Sequence, residues 1–111
     1  MIHHLVDSHM NSYTRFQLAL TENHPTIRPY NETKWAALPD RKGLPIALST
    51  QFLTALHKRW ELLLHSMTAD DFHRTFLHPE ANQNYRLDVY TASCAWHGKH
   101  HLGHIALVTN R

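Results

Sequence analysis

At 111 residues the chain supports one domain with one modest core. Eleven Lys and Arg against nine Asp and Glu leave a net charge of +2, and their scatter excludes a basic patch for nucleic acid. A single cysteine, Cys94, excludes a disulfide framework and a cysteine-rich zinc site, and fits a reducing, cytoplasmic setting. Met1-Ile2-His3-His4-Leu5 runs straight into a polar and apolar mixture, so neither a signal peptide nor a membrane partner is expected. The outlying number is twelve histidines, spread over the whole chain. Histidine is the commonest metal ligand, which makes metal binding the first chemistry to consider.

Residues 2 to 21 are predicted to be a helix. Neither Gly nor Pro occurs from Met1 to Asn23, and Leu, Met, Gln and Ala are frequent. Leu5, Phe16, Ala19 and Leu20 supply its apolar contacts. Beside them His4, Asp7 or Ser8, Asn11 and Arg15 step by three or four residues and share one face. That face is either solvated surface or a polar wall turned towards a site. The pattern is already running at Ile2 with no capping residue ahead of it, so a preceding element is expected to be absent.

Residues 22 to 48 carry Pro25, Pro29, Pro39, Pro45 and Gly43, which prevent a continuous helix. Ile27, Tyr30, Trp35 and Leu38 are still apolar enough to pack. A short helix is predicted after the cap residue Asn31, with Tyr30 and Trp35 flanking its first turn. Residues 49 to 66 then read as a helix capped by Ser49, with Leu48 and Leu53 as its staple. Phe52, Leu56, Trp60, Leu63 and Met67 form its apolar stripe, and His57 and His65 fall at the boundary or surface. Thr68-Ala69-Asp70-Asp71 has the pattern of a capping box, with Met67 and Phe72 as the staple. Residues 76 to 80 are extended, because His78 precedes a proline. Asn82-Gln83-Asn84 is a turn whose last residue caps a final helix from Tyr85 to about Val108.

The chemistry concentrates in that last helix, at Ala95-Trp96-His97-Gly98-Lys99-His100-His101-Leu102-Gly103-His104-Ile105. His97 and His101 are four apart, as are His100 and His104, so each pair sits on adjacent turns and can hold one ion from one side. Tyr90, Cys94, His97, His101, Ile105 and Val108 share a stripe, which makes His97 and His101 the inward pair. A metal that does chemistry needs a third ligand and an open position. His4, on a different helix and on the polar face, is the leading candidate. Amphipathic helices around a partly polar interior suit an all-α, antiparallel bundle.

These residues resemble the motifs of the DinB superfamily, and within it the YfiT-like metal-dependent hydrolases. His4-Leu5-Val6-Asp7-Ser8 is followed far downstream by His97-x-x-x-His101-Leu102-Gly103. Between them come Ser12-Tyr13-Thr14-Arg15-Phe16, Pro25-Thr26-Ile27-x-Pro29-Tyr30, Trp35-Ala36, His57-x-Arg59-Trp60 and Phe76-x-His78-Pro79, so the match runs over nearly the whole chain. The resemblance implies one DinB-like domain over residues 1–111, built as an antiparallel four-helix bundle. It implies one divalent ion, zinc or nickel, held by His4, His97 and His101. It further implies a small-molecule substrate and a homodimer. Members of the family carry a helix ahead of the first metal-binding histidine, so this chain is expected to lack the bundle's first helix. Where the family often has glutamine, this chain has His104, which would either orient a ligand or act as a fourth one.

An ion held this way would activate water for hydrolysis or stabilise a thiolate for transfer. The ligands therefore fit a metal-dependent hydrolase and, as alternatives, a bacillithiol S-transferase using a low-molecular-weight thiol, or a non-catalytic metal-binding bundle or inactive fragment. Asp7 is the candidate proton acceptor, with a supporting role beside a ligand histidine the preferred reading. Arg15 and His78 are candidate substrate contacts. Cys94 reads as a small core residue, because no base lies near it in the sequence.

Overall fold

The computed structural model describes residues 2–92. Helix α1 spans Ile2–Thr21, with the bounds that its lack of Gly and Pro predicts. Helix α2 spans Glu32–Ala36, and the Asn31 side chain accepts a hydrogen bond from the Lys34 amide at 2.9 Å. The Tyr30 and Trp35 rings pack 4.6 Å apart across this first turn, as a staple should. A single 3₁₀ turn, Pro39–Arg41, follows. Helix α3 spans Ile46–Ser66 and α4 spans Ala69–Phe72. The capping box at Thr68 and Asp71 is complete, with both reciprocal hydrogen bonds made.

Strands β1, Thr75–His78, and β2, Gln83–Arg86, form an antiparallel hairpin with Phe76 opposite Tyr85. The expected all-α composition is thus corrected to a mostly helical fold with one hairpin. Tyr85 does not open the last helix. It pairs across the ladder and stacks on Phe76 at 5.4 Å, and helix resumes at residue 87. Only Asn82 of the predicted turn turns the chain, at φ 48°, a left-handed value that asparagine tolerates. Gln83 and Asn84 are paired in β2.

Helix α3 begins one turn earlier than its sequence suggests. Pro45 is extended and precedes the first turn, so Ser49 is not the cap. It is buried inside the helix, with its hydroxyl 2.6 Å from His3 Nδ1. The stripe also shifts. Leu53 is buried in place of Phe52, which is 46% exposed on the outer side with Leu48 and Leu62. The inward row is Leu53, Leu56, Trp60, Leu63 and Met67, still at helical spacing.

Three contacts fix the direction of α3. His3 meets Ser49, and His9 meets His57, while Phe16 packs on Trp60. The numbers rise together, so α1 and α3 run parallel, and the antiparallel expectation is corrected for this pair. The physical reason is the connection: residues 22–45 travel back along α1, which brings Arg41 beside Asp7 before α3 starts. Residues 25–27 pair with Leu77 on the way, Leu77 N–H donating to Pro25 O at 2.9 Å and Ile27 N–H to Leu77 O at 3.0 Å. The main core gathers Tyr13, Phe16, Ala19, Ile27, Trp60, Phe76 and Leu87, and a smaller cluster joins Ile2, Leu5 and Leu53. Arg74 closes the end of α1 by donating to the Ala19 and Glu22 carbonyls, groups left unsatisfied at a helix C-terminus. Among the described residues no helix is long and apolar enough to cross a membrane.

Candidate metal centre and adjoining cleft

His4 lies on the first turn of α1, half-buried, one position from the core stripe. Its histidine neighbours have protein partners: His3 bonds Ser49 and His9 bonds His57. Among the described residues His4 makes no side-chain hydrogen bond. Asp7, one turn on, is buried at 4% exposure and forms an ion pair with Arg41 at 2.7 Å. Arg41 simultaneously holds Asp40. This arginine fixes the Asp7 carboxylate in place. A charge so deeply buried persists only with such a partner.

Continuing along the same face, Asn11, Thr14, Arg15 and Leu18 form one wall of a cleft of about 860 Å³. Tyr30 and Trp35 face them from the return segment. The steps from His4 through Asn11 to Leu18 are seven residues each, two helical turns, so His4 and the cleft share one line along α1. The Tyr30 hydroxyl is buried without a well-formed hydrogen bond, although Ser8 approaches it. Burial pushes the Tyr30 phenol above its ordinary pKa, and the Glu32 and Asp7 carboxylates push it the same way. It therefore stays protonated at neutral pH and remains a donor. Arg15 donates to the Arg28 carbonyl at 3.5 Å, while its Nε is buried with no partner.

Of the residues singled out in the sequence, His4, Asp7 and Arg15 are brought onto one face of α1. His78 is not among the residues that line the cleft; its Nδ1 accepts from the Ala81 amide at 3.3 Å within the hairpin. His97, His101, His104 and Cys94 lie outside the described residues. Among the described residues no three His, Cys, Asp or Glu side chains gather as a metal site. Two features escaped the sequence reading. Arg41 reaches Asp7 across 34 positions in a proline-rich stretch, where no spacing rule applies. His9 is 3% exposed and its Nδ1 lies 2.8 Å from His57 Nε2. Its position was legible: Ile2, Leu5, His9, Ser12, Phe16 and Ala19 follow the core-facing period.

The sequence profile of the DinB superfamily matches residues 1–105. The chain belongs to that superfamily. A protein of Bacillus cereus strain B4264, named "Putative metal-dependent hydrolase", is 53% identical over all 111 residues. Relatives bearing the same description in Bacillus thuringiensis subsp. konkukian and Bacillus anthracis are 52% and 51% identical. In each case the whole chain aligns, and it spans 63% of the relative's length. Among solved structures, YfiT from Bacillus subtilis superposes with a TM-score of 0.89 at 44% identity, over 99% of this chain and 63% of YfiT. YfiT is described as a probable metal-dependent hydrolase with an unusual four-helix bundle topology. The superposition gives this chain the arrangement of the part of YfiT that it covers.

A divalent ion is implied by those relatives, and His4 suits it. The ring is half-buried on a polar face and makes no side-chain hydrogen bond among the described residues.

Proposed function

We propose that the chain is a divalent-metal-dependent hydrolase of small molecules, with His4, His97 and His101 holding one zinc or nickel ion. The observation that carries this reading is the placement of His4. It stands at the head of a polar helix face that leads into a cleft, in a chain whose relatives are described as metal-dependent hydrolases. The ion would supply electrophilic activation of the bond to be cleaved. The chain's own residues do the rest. Helix α1 presents the His4 ring from a rigid backbone. Arg41 holds the Asp7 carboxylate one turn away, where it acts as a positioning group rather than as a free base. Asn11 donates to the Asp7 carbonyl at 2.8 Å and so leaves its side-chain oxygen turned along the face. The Tyr30 and Trp35 rings pack together along one side of the cleft.

Elemental analysis of the purified chain tests the reading. Metal should be present in the native chain and lost in both His4→Ala and His97→Ala. Metal content unchanged in both variants would remove the enzyme assignment. Turnover of ester and amide panels with and without an added low-molecular-weight thiol then separates hydrolysis from thiol transfer. The proposal expects turnover without the thiol.

A further inference from the structure

The cleft beyond His4 is lined by three cations, Arg15, Arg28 and Lys34, against one carboxylate, Glu80. Two of its donors are buried and make no well-formed hydrogen bond among the described residues: Arg15 Nε, and the Tyr30 hydroxyl, which has Ser8 beside it. A buried donor left without a partner costs about 1–3 kcal/mol, and such groups in folded proteins usually mark a missing ligand or water. Two such donors, in one cleft of net positive charge, have the same unmet need. An acceptor with several lone pairs meets it, and a charged acceptor meets it best, because charge-assisted hydrogen bonds are the stronger kind. Beside the polar Asn11, Thr14 and Asn31, the wall has an apolar part from Leu18, Ile27, Pro29 and Trp35. It accommodates a hydrocarbon body attached to the charged end.

We propose that this cleft is an anion subsite in which Arg15 and the Tyr30 hydroxyl hold the carboxylate or phosphate end of an elongated small molecule. This deepens the hydrolase reading and rests on it for the position of the reacting bond. Arg15 is eleven residues from His4, roughly 16 Å along the helix axis. The substrate class that follows is an anionic molecule whose charged end stands about that far from the bond cleaved. Lys34 and Arg28 are exposed at the rim and draw the anion in. Their contribution is long-range and screened by salt.

Isothermal titration of the full chain with succinate, inorganic phosphate and uncharged succinamide tests this. Succinate or phosphate should bind saturably, more weakly at higher salt, and succinamide should not bind. The tighter of the two anions assigns the charged end as carboxylate or phosphate. Arg15→Gln should weaken that binding about tenfold or more, the scale of a lost charged hydrogen bond. Tyr30→Phe and Lys34→Gln should each weaken it by a smaller factor, and they decide the question if Arg15→Gln does not fold. Lys58→Gln, on the exposed side of α3, should leave it unchanged. Absence of saturable binding, or binding that all three cleft variants leave intact, overturns the subsite. The same titration in His4→Ala keeps this result apart from that of the metal site. Retained anion binding with lost metal supports a separate subsite, and loss of both shows that the ion, not Arg15, holds the anion.

Discussion

Helix α1 has two faces, one packed into the core and one turned to the cleft. On the face towards α3, Ile2, Leu5, His9, Ser12, Phe16 and Ala19 are buried, and their polar members are bonded: His9 to His57 and Ser12 to Tyr90. One step round the helix, His4 makes no side-chain hydrogen bond among the described residues, and the cleft that follows is lined by Arg15 and Tyr30. The first face is packed as a core. The second lines an open cleft. One helix therefore divides between holding the fold and presenting a site, and changes on the two faces should separate stability from binding.

The largest effect is expected on the closed face. Phe16 is 0% exposed and packs on Trp60 at the centre of the main core. Phe16→Ala should cost about 3–5 kcal/mol, from lost burial and the cavity left behind, read as a fall in the urea midpoint. Arg15→Gln, on the adjacent open face, should move the midpoint far less. Comparable losses from both would break the distinction between the two faces.

Next comes the ion pair that crosses between the regions. Arg41→Gln leaves the Asp7 carboxylate buried without its partner, a change worth about 3 kcal/mol at a buried pair. Asp7→Asn combined with Arg41→Gln should recover part of that loss, because no uncompensated charge then remains. Denaturant midpoints of the two single variants and the double variant give the coupling directly. A double variant no more stable than Arg41→Gln would show that the arginine acts through packing alone.

A further effect appears as a pH dependence. Burial pushes the His57 imidazole below its ordinary pKa, so the folded state favours the neutral ring. The unfolded state takes up its proton near pH 6.5. The stability from this group is therefore complete above about pH 6.5 and falls as the pH drops from there through the depressed folded value. Urea midpoints between pH 8 and 5 should decline, and His57→Gln should flatten that decline. An unchanged slope in the variant would assign the dependence to another group.

What the sequence made visible follows the same division by range. The α1 bounds, the Asn31 cap with its Tyr30–Trp35 staple and the Thr68–Asp71 capping box are set by residues three or four apart, and each was read correctly. The face carrying His4, Asp7 and Arg15 followed from helical period alone. The parallel pairing of α1 with α3 did not, because helix period carries no direction. The β1–β2 hairpin was read as an extended stretch and a turn, since each strand has only four residues and gains its ladder from the other. Phe52 was preferred over Leu53 because both are large and apolar and one position apart. Only the approach of α1 decides between them. Arg41 with Asp7, and His9 with His57, join positions 34 and 48 apart, distances over which sequence spacing says nothing.

The smallest effect probes how the return segment delivers Arg41. Gly43 turns at φ 73°, a conformation that costs an ordinary residue about 1–2 kcal/mol. A Cβ there would meet nothing within 4 Å, so Gly43→Ala introduces backbone strain and no clash. In the native chain the turn is pinned on one side by the Arg41 ion pair and on the other by Pro45, and the strain has no outlet. Once Arg41→Gln releases one side, the turn can relax. Gly43→Ala should then cost less, by about 0.5 kcal/mol or more, in that background than alone. The comparison requires only the midpoints of four chains. Equal costs in both backgrounds would mean that Pro45 and the start of α3 fix the turn unaided, and that Arg41 is carried to Asp7 by a segment already rigid.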